Sequence, residues 1–299
     1  MRVYFDLVDL QLLVYISEEQ SLTKGAERSN LSLPAASMRI KLFEEAIGEK
    51  LLFRSKQGAT LTPTGYTVLK HARIVLTQLE ALRGDLHEHI EGFRGHIRMV
   101  ANATSINASL PLVLRQYLTA YPNIDVNLSE KLSDDGAKAV ADGAADLAIV
   151  AENTSAEGLQ LLPYRREKLV LVTSSNHELA SSLSVNFDET LDYGYVGLYE
   201  SSAIYLFLKK QAQSLNKKLN VRIQVASFDA ICRMVEADIG ISVLPVSAAH
   251  RYSKIMNLCV IPLGDAWSTR QSWICVRNVD ALPLFVQRLV NMLRMSEMP

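Results

Sequence analysis

From the N-terminus to residue 61, apolar positions recur at helical spacing in short blocks separated by capping and turn residues. In DLQLLVYISEEQ, Leu10, Leu13, Val14 and Ser17 share one face, the spacing of an amphipathic helix. SLTKGAERSN follows, with Ser21 as N-cap and Thr23, Ala26 and Glu27 continuing a second helix. NLSL is a short turn, after which Ser32 caps a third helix that runs to about Ile47 and stops at Gly48. Two helices joined by so tight a turn have the layout of a helix-turn-helix. In KLLFRSKQGATLTPTG, Leu51–Ser55 and Thr60–Thr62 form two extended arms around Lys56, Gln57 and Gly58, which predicts a small hairpin or wing.

Thr62 followed by Pro63 is a strong helix start. From there to about Glu91 the pattern predicts one long helix. Leu69, Ala72, Leu76, Leu79, Leu86 and Ile90 follow alternating spacings of three and four, with Arg83 in the slot that breaks the series. That stripe suits a dimer seam between paired helices, and intramolecular packing would explain it too. Gly84 weakens the helix by about 1 kcal/mol relative to alanine. Gly92 and Gly95 mark the exit. Beyond residue 95, apolar strands such as HIRMVANA, IDVNLSE, DLAIVAE, LVLVTSS, GISVLP and SWICVR alternate with helical blocks, and ALPLFVQRLVNMLRMSE closes the chain as a last helix. This texture predicts a mostly parallel α/β sheet.

The third helix has two chemically distinct faces. Ile40, Phe43 and Ile47 should face the core, leaving Leu33, Pro34, Ser37, Arg39 and Lys41 on the other face. Small Ala35, Ala36 and Ser37 let its N-terminal backbone approach another surface, as a helix entering the DNA major groove requires. Arg39, Lys41, Arg54 and Lys56 are placed to neutralise phosphates. A solvated amphipathic helix would account for this helix alone. The preceding helix, the wing and the capped long helix favour the DNA reading.

Composition narrows the alternatives. The chain has 299 residues, 48% of them apolar and 21% charged, with a net charge of −1. That size allows two or three domains. The charge balance argues against non-specific coating of nucleic acid, while leaving room for a local basic face. Cys232, Cys259 and Cys275 are odd in number and far apart, which fits a reducing cytoplasm and core thiols better than disulfides. MRVYFDLVDL carries acids and lacks the long apolar stretch of a signal peptide, and no run is long enough to span a bilayer. There is no phosphate-cradling loop and no nucleophile elbow. His87, His89 and His96 have no metal-ligand spacing, and Asp229, Glu236 and Asp238 read as solvated helix charges. The expectation is therefore a non-enzyme without metal or cofactor.

SLTKGAERSNLSLPAASMRIKLFEEAIGEKLLFRSKQGATLTPTG resembles the winged helix-turn-helix of LysR-type transcriptional regulators. The resemblance is carried by Ser21, Ala26, Leu31, Ser32, Pro34, Ala35, Ser37, Ile40, Glu44, Gly48, Leu52, Arg54, Leu61, Thr62 and Gly65 at fixed spacing. LPLVLRQYLTAYPNIDVNL, DGAADLAIV and ADIGISVLP extend it over the effector region. The resemblance implies an α/β protein with a DNA-binding domain at 1–61, a linker helix at 62–92 and an effector-binding region at 93–299 similar to type 2 periplasmic binding proteins. It implies a subdomain I of about 94–164 and 268–299 and a subdomain II of about 165–267, with crossovers near 162–165 and 266–270. It further implies DNA contact by Leu33, Pro34, Ser37 and Met38. Leu33 stands where the family usually has glutamine and Met38 where it often has arginine, so apolar contact with thymine methyls is the expected replacement. Gly25 sits where alanine is common, which is expected to loosen the second helix. The implied partners are operator DNA, RNA polymerase, a small-molecule effector and further copies of the chain, as dimers through the linker helix and as homotetramers.

In open α/β sheets a ligand sits beyond the carboxyl ends of strands, near helix N-termini. Asn102, Thr104 and Ser105 follow the first strand of this region, and Ser201 and Ser202 follow YGYVGLY. Hydroxyls with free backbone N–H groups favour an anion, often a carboxylate, although helix capping would explain the same residues. The resemblance adds Ser133, Ser227, Phe228 and Pro245. Glu200 would repel an anion unless turned away, which leaves an amine-containing effector open. The competing function is a cytoplasmic solute-binding or sensor protein whose helical N-terminus does not read DNA specifically.

Overall fold

The computed structural model describes residues 5–55, 58–87, 95–152, 154–200 and 202–295, the side chains of 83–87 excepted. Lys56, Ser201, Ile90, His89 and the Leu86 side chain lie outside the described residues. The chain opens with helices α1 (Leu7–Glu19), α2 (Leu22–Arg28) and α3 (Leu33–Ile47), the hairpin β1 (Leu52–Ser55) and β2 (Gly58–Leu61), and the long helix α4 (Pro63–His87). The second part runs β3 (Gly95–Ala101), α5 (Ala103–Asn107), α6 (Leu110–Ala120), β4 (Ile124–Glu130), α7 (Ser133–Ala141), β5 (Leu147–Ala151) and β6 (Gln160–Ser174). It continues with α8 (Phe187–Thr190), β7 (Tyr195–Leu198), α9 (Ala203–Ser214), β8 (Val221–Val225), α10 (Phe228–Glu236), β9 (Ser242–Pro245), α11 (Val246–Ser253), β10 (Leu258–Pro262), β11 (Thr269–Val276) and α12 (Leu284–Met295). No described helix is long and apolar enough to cross a membrane.

Each N-terminal helix starts on a side-chain cap. Asp6 Oδ1 accepts the Val8 and Asp9 N–H groups at 2.8 and 3.1 Å, and Asp9 Oδ2 accepts the Asp6 N–H at 2.9 Å, closing a capping box. Ser21 and Ser32 accept the Lys24 and Ala35 N–H groups. α3 ends on Gly48 at φ 84°, a left-handed stop that glycine adopts without cost. Gly25 does the opposite of loosening α2. A Cβ there would lie 2.6 Å from Ile16 Cγ1, so glycine is what lets α2 pack directly on α1.

Leu12, Leu13, Ile16, Ala36, Ile40, Phe43 and Leu51 form the core of this unit, and α4 completes it with Leu69 and Ala72, which are 4% and 1% exposed. Leu76 packs against the same cluster. Those three positions of the expected dimer seam thus serve intramolecular packing, the competing reading of the stripe. Among the described residues, the exposed large apolar side chains of α4 are Tyr66, Val75 and Leu82.

The sheet of the second part is mixed, where a mostly parallel one was expected. β3 pairs in parallel with β4 and β5, and β7 with β8, but every pairing of β6 and β11 is antiparallel. The reason is topological. β6 leaves one subdomain and β11 returns to it, so the two crossing strands run in opposite directions. β6 pairs with β11 from Gln160 to Lys168, then with β9 and β10 from Leu169 to Ser174. The switch falls between Lys168 and Leu169, just past the span expected for the first crossover. One apolar core packs α6 and α12 on the first sheet, and another packs α9, α10 and α11 around β6, β7 and β9.

The candidate DNA-reading face and effector cleft

The outer surface of α3 is apolar at its N-terminal half. Leu33 and Met38 are 44% and 56% exposed, and Pro34 lies exposed beside them. Ser32 is the cap. Ser37 Oγ accepts a hydrogen bond from Arg54 Nη1 at 2.9 Å, which braces the wing against α3. Lys41 is exposed and stands 3.8 Å from Glu45, a loose pair that leaves its charge available. Phe53, 61% exposed on β1, extends the same surface. Its signal in the sequence is the alternation that turns Leu52 in and Phe53 out.

Arg39 does not belong to this face. Its guanidinium pairs with Asp6 and, at 2.9 Å, with Asp9, so it joins α3 to the capped start of α1. Asp6 is held below the usual carboxylate range, chiefly by the Arg39 hydrogen bond. Glu44 ties the other end of α3. It is 5% exposed and accepts the Leu51 and Leu52 N–H groups at 3.0 and 3.3 Å and Lys50 Nζ at 2.8 Å. Burial opposes its ionisation, but those three donors outweigh it and hold the carboxyl below its ordinary range.

A cavity of about 790 Å³ opens between the two halves of the second part. Asn102, Thr104 and Leu132 line one side, Leu198, Tyr199 and Ser202 the other, and Arg73 of α4 is also part of the lining. A chamber of about 40 Å³ shares Asn102, Thr104, Ala203 and Ile204 with it and reaches Glu167, Arg270 and Ser272 on the crossing strands. Of the candidate hydroxyls, Thr104 lines both spaces, and its Oγ1 has no hydrogen-bond partner among the described residues. The others cap. Asn102 Oδ1 accepts the Ser105 N–H at 2.9 Å, and Ser202 Oγ the Tyr205 N–H at 3.2 Å. Ser105 is buried under that cap and lines neither space.

The positions added by resemblance lie elsewhere. Ser133 Oγ accepts the Ala151 N–H, fastening α7 to β5, and Ser227 caps α10. Phe228 is a core residue of the α9–α11 cluster, and Pro245 is buried in β9 opposite Leu169. None of the four lines the two spaces. Glu200 is exposed and also stands outside the lining.

The geometry of a capped helix-turn-helix and wing, followed by a two-part α/β cleft, matches known proteins along the whole chain. Residues 7–66 match the profile described as bacterial regulatory helix-turn-helix protein, lysR family, and residues 91–296 match the LysR substrate binding domain. The chain belongs to the LysR family of transcriptional regulators. An uncharacterized HTH-type transcriptional regulator of Escherichia coli (strain K12), YbhD, is 26% identical over 277 residues, covering 93% of this chain and 87% of that protein. Full-length OxyR from Pseudomonas aeruginosa, solved as a variant, superposes with a TM-score of 0.80 at 22% identity, over 99% of this chain and 95% of that one. Full-length CbnR in complex with its target DNA superposes with a TM-score of 0.64 at 18% identity, over 98% and 100%.

In this LysR-type regulator the linker helix is docked on the effector region through a polar joint. Arg98 on β3 donates from Nη2 to Asp146 Oδ1 at 2.6 Å and to Thr77 Oγ1 of α4 at 3.0 Å, and from Nη1 to the Gly143 carbonyl at 3.1 Å. Burial acts to lower the Arg98 pKa, yet its attraction to Asp146 prevails and raises it. Gly143, at φ 69°, brings the turn so close to α4 that an added Cβ would lie 3.0 Å from Arg73 Cβ. Gln78 Nε2 adds a bond to the Ala281 carbonyl. Nothing in the sequence marks Arg73, Arg98 and Arg270, because lone arginines in strands and helices carry no spacing signal.

None of the three cysteines lines either space. Cys232 and Cys275 are buried, and burial pushes them up to about 12 and about 11. Their thiolate fraction at neutral pH is negligible. Among the described residues no cluster of histidine, cysteine and carboxylate side chains has metal-binding geometry.

Proposed function

We propose that this regulator reads operator DNA through Leu33, Pro34, Ser37 and Met38, with Arg54 and Lys41 on phosphates, and that a small molecule in the inter-subdomain cleft controls the reading. The observation that carries the proposal is Arg73. It projects from the helix that bears the DNA-binding unit into the cavity that Thr104 and Ser202 also line. An occupant of the cleft therefore touches both subdomains and the linker at once. It biases their arrangement only to the extent that it binds two arrangements with different affinity.

The assembly follows from the outer face of α4. Val75, Leu79 and Leu82 are spaced four and three apart, with Val75 and Leu82 44% and 54% exposed, and this stripe is the seam on which two copies pair. Two winged helices would then meet an interrupted inverted repeat. Further pairing through the α/β region gives the tetramer, and contact with RNA polymerase converts binding into regulation in the cytoplasm. The DNA complex of CbnR, a member of the same fold, supports the first step. The test is selection of genomic fragments with the purified full-length protein at physiological salt, followed by footprinting. Discrete footprints with two-fold symmetry support the reading. Sequence-blind binding alone refutes it.

A further inference from the structure

We infer that α11 is a strap that sets the angle between the two halves of the effector region, with Arg251 as the positioning residue that latches it. The halves are joined by the crossing strands β6 and β11, which lie side by side as one ladder, Gln160–Lys168 against Thr269–Val276. Two neighbouring strands make a hinge, and a hinge leaves an angle to be fixed by contacts away from its axis. Arg251 supplies such a contact. Its Nη2 donates to the Asn107 carbonyl of the other half at 2.7 Å. Asn107 is the last residue of α5, where a helix leaves carbonyls without an intrahelical partner. Among the described residues Arg251 forms no ion pair within 4.0 Å, so its guanidinium is committed to that carbonyl.

The strap starts at the hinge. β9 ends at Pro245, opposite Leu169, where β6 changes partners, and α11 follows with no loop between. Glu167 Oε1, on the same crossing strand, accepts the Ser247 N–H at 3.1 Å. Ala248 and Ala249 are buried, which seats the helix on its own half. From Ser247 to Arg251 the helix rises about 6 Å, and the long arginine side chain spans the remaining gap to α5. α5 leads back to the cleft. Its cap Asn102 and its residue Thr104 line the inner chamber, and so does Glu167. Asn107 Nδ2 donates to the Ala103 carbonyl at 2.8 Å, so the short helix moves as one piece. Glu167, α11, Arg251 and α5 thus form a ring that begins and ends at the walls of one chamber. An occupant that pushes Thr104 away from Glu167 works against the latch, and one that draws them together supports it. This regulatory meaning rests on reading the cleft as the effector site, whereas the latch itself does not.

The test is amide hydrogen exchange of the full-length protein without ligand or DNA, so that a failed latch and a failed effector site are told apart. The reporters are the Ile106 and Ala108 N–H groups of α5 and its end, which bond the Asn102 and Thr104 carbonyls. In Arg251→Ala they should exchange about three- to tenfold faster, the effect of losing one partly solvated hydrogen bond from a charged donor. The crossing segments 165–169 and 269–272 should also exchange faster. Helix α10, whose core lies within Arg251's own half, should be unchanged. Arg251→Lys, which keeps the charge but not the fork, should recover part of the α5 protection. Arg251 is exposed, so both variants leave the core intact. Unchanged α5 exchange in Arg251→Ala would overturn the latch. Equal acceleration of α10 and α5 would overturn it too, because Arg251 would then support its own half rather than join the two.

Discussion

Replacing Thr77 with valine should loosen the linker helix from the effector region without touching DNA or ligand. Thr77 is 3% exposed, and its hydroxyl accepts from Arg98 Nη2 at 3.0 Å. Valine has nearly the same shape and no acceptor, so one guanidinium N–H loses its partner inside the joint. A hydrogen bond to a charged group contributes about 1.5–3 kcal/mol, and the Arg98 side chain is 28% exposed, so water recovers part of the loss. The lower end, about 1.5 kcal/mol, is the reasonable expectation, which corresponds to about tenfold in the opening equilibrium. Asp146 still neutralises Arg98 through its 2.6 Å bond, so β3 and β5 should be unaffected. The assay is amide hydrogen exchange of residues 73–82 in the full-length chain, where exchange reports local opening. Thr77→Val should exchange about tenfold faster there, and Thr77→Ser, which keeps the hydroxyl, should match wild type. Equal protection in Thr77→Val and wild type would refute the joint, as would a Thr77→Ser variant that exchanges as fast as Thr77→Val.

Three further outcomes follow from the same geometry. Arg54→Ala should reduce the salt slope of DNA binding by about one, whereas Arg39→Ala should leave the slope unchanged and lower winged-helix stability by about 1 kcal/mol; equal slopes for both variants would reverse their assigned roles. Glu44 has a folded pKa below its unfolded value, so its stabilisation is present above about pH 4.5 and is lost as pH falls through the folded pKa. Glu44→Gln should therefore cost about 1–2 kcal/mol at neutral pH and flatten the acid limb of the stability profile, and an unchanged acid limb in chemical denaturation would contradict the role. Val75→Asp with Leu82→Asp should separate the dimer in sedimentation while leaving the winged helix folded, whereas Leu69→Asp should unfold that unit; an assembly unchanged by the first pair would remove the proposed seam.

Much of the fold was legible because it is written in local signals. Ser21, Ser32 and Gly48 mark the bounds of α2 and α3 by chemistry that acts within one turn of helix. What failed was what depends on distant partners. The first half of β6, QLLPYRREK, carries a proline and a run of charges that lower strand propensity. It pairs regardless, because Pro163 lies beside a bulge and β11 supplies the ladder. The stripe on α4 was correctly periodic, but Leu69, Ala72 and Leu76 turn inward while Leu79 stays partly exposed, since heptad spacing does not say whether the partner is α1 of the same chain or a second copy. Arg39 looked like a phosphate ligand because its acidic partners are 33 and 30 positions away. The cleft was legible as hydroxyls near strand ends, yet Ser202 and Ser227 cap helices, Ser105 and Ser133 line neither space, and Arg270 stands where no motif points.

Whether the apolar face of α3 reads sequence is tested most directly by comparing affinity for a footprinted site with affinity for its scrambled counterpart. The comparison should be made at physiological salt, for wild type and for the Leu33→Ala, Met38→Ala double variant. Wild type should prefer the true site by about a thousandfold or more. The double variant should lose most of that preference while keeping its salt slope, because only contacts with bases are removed. A double variant that retains the full preference, or a wild type that shows none, would contradict sequence reading by this face.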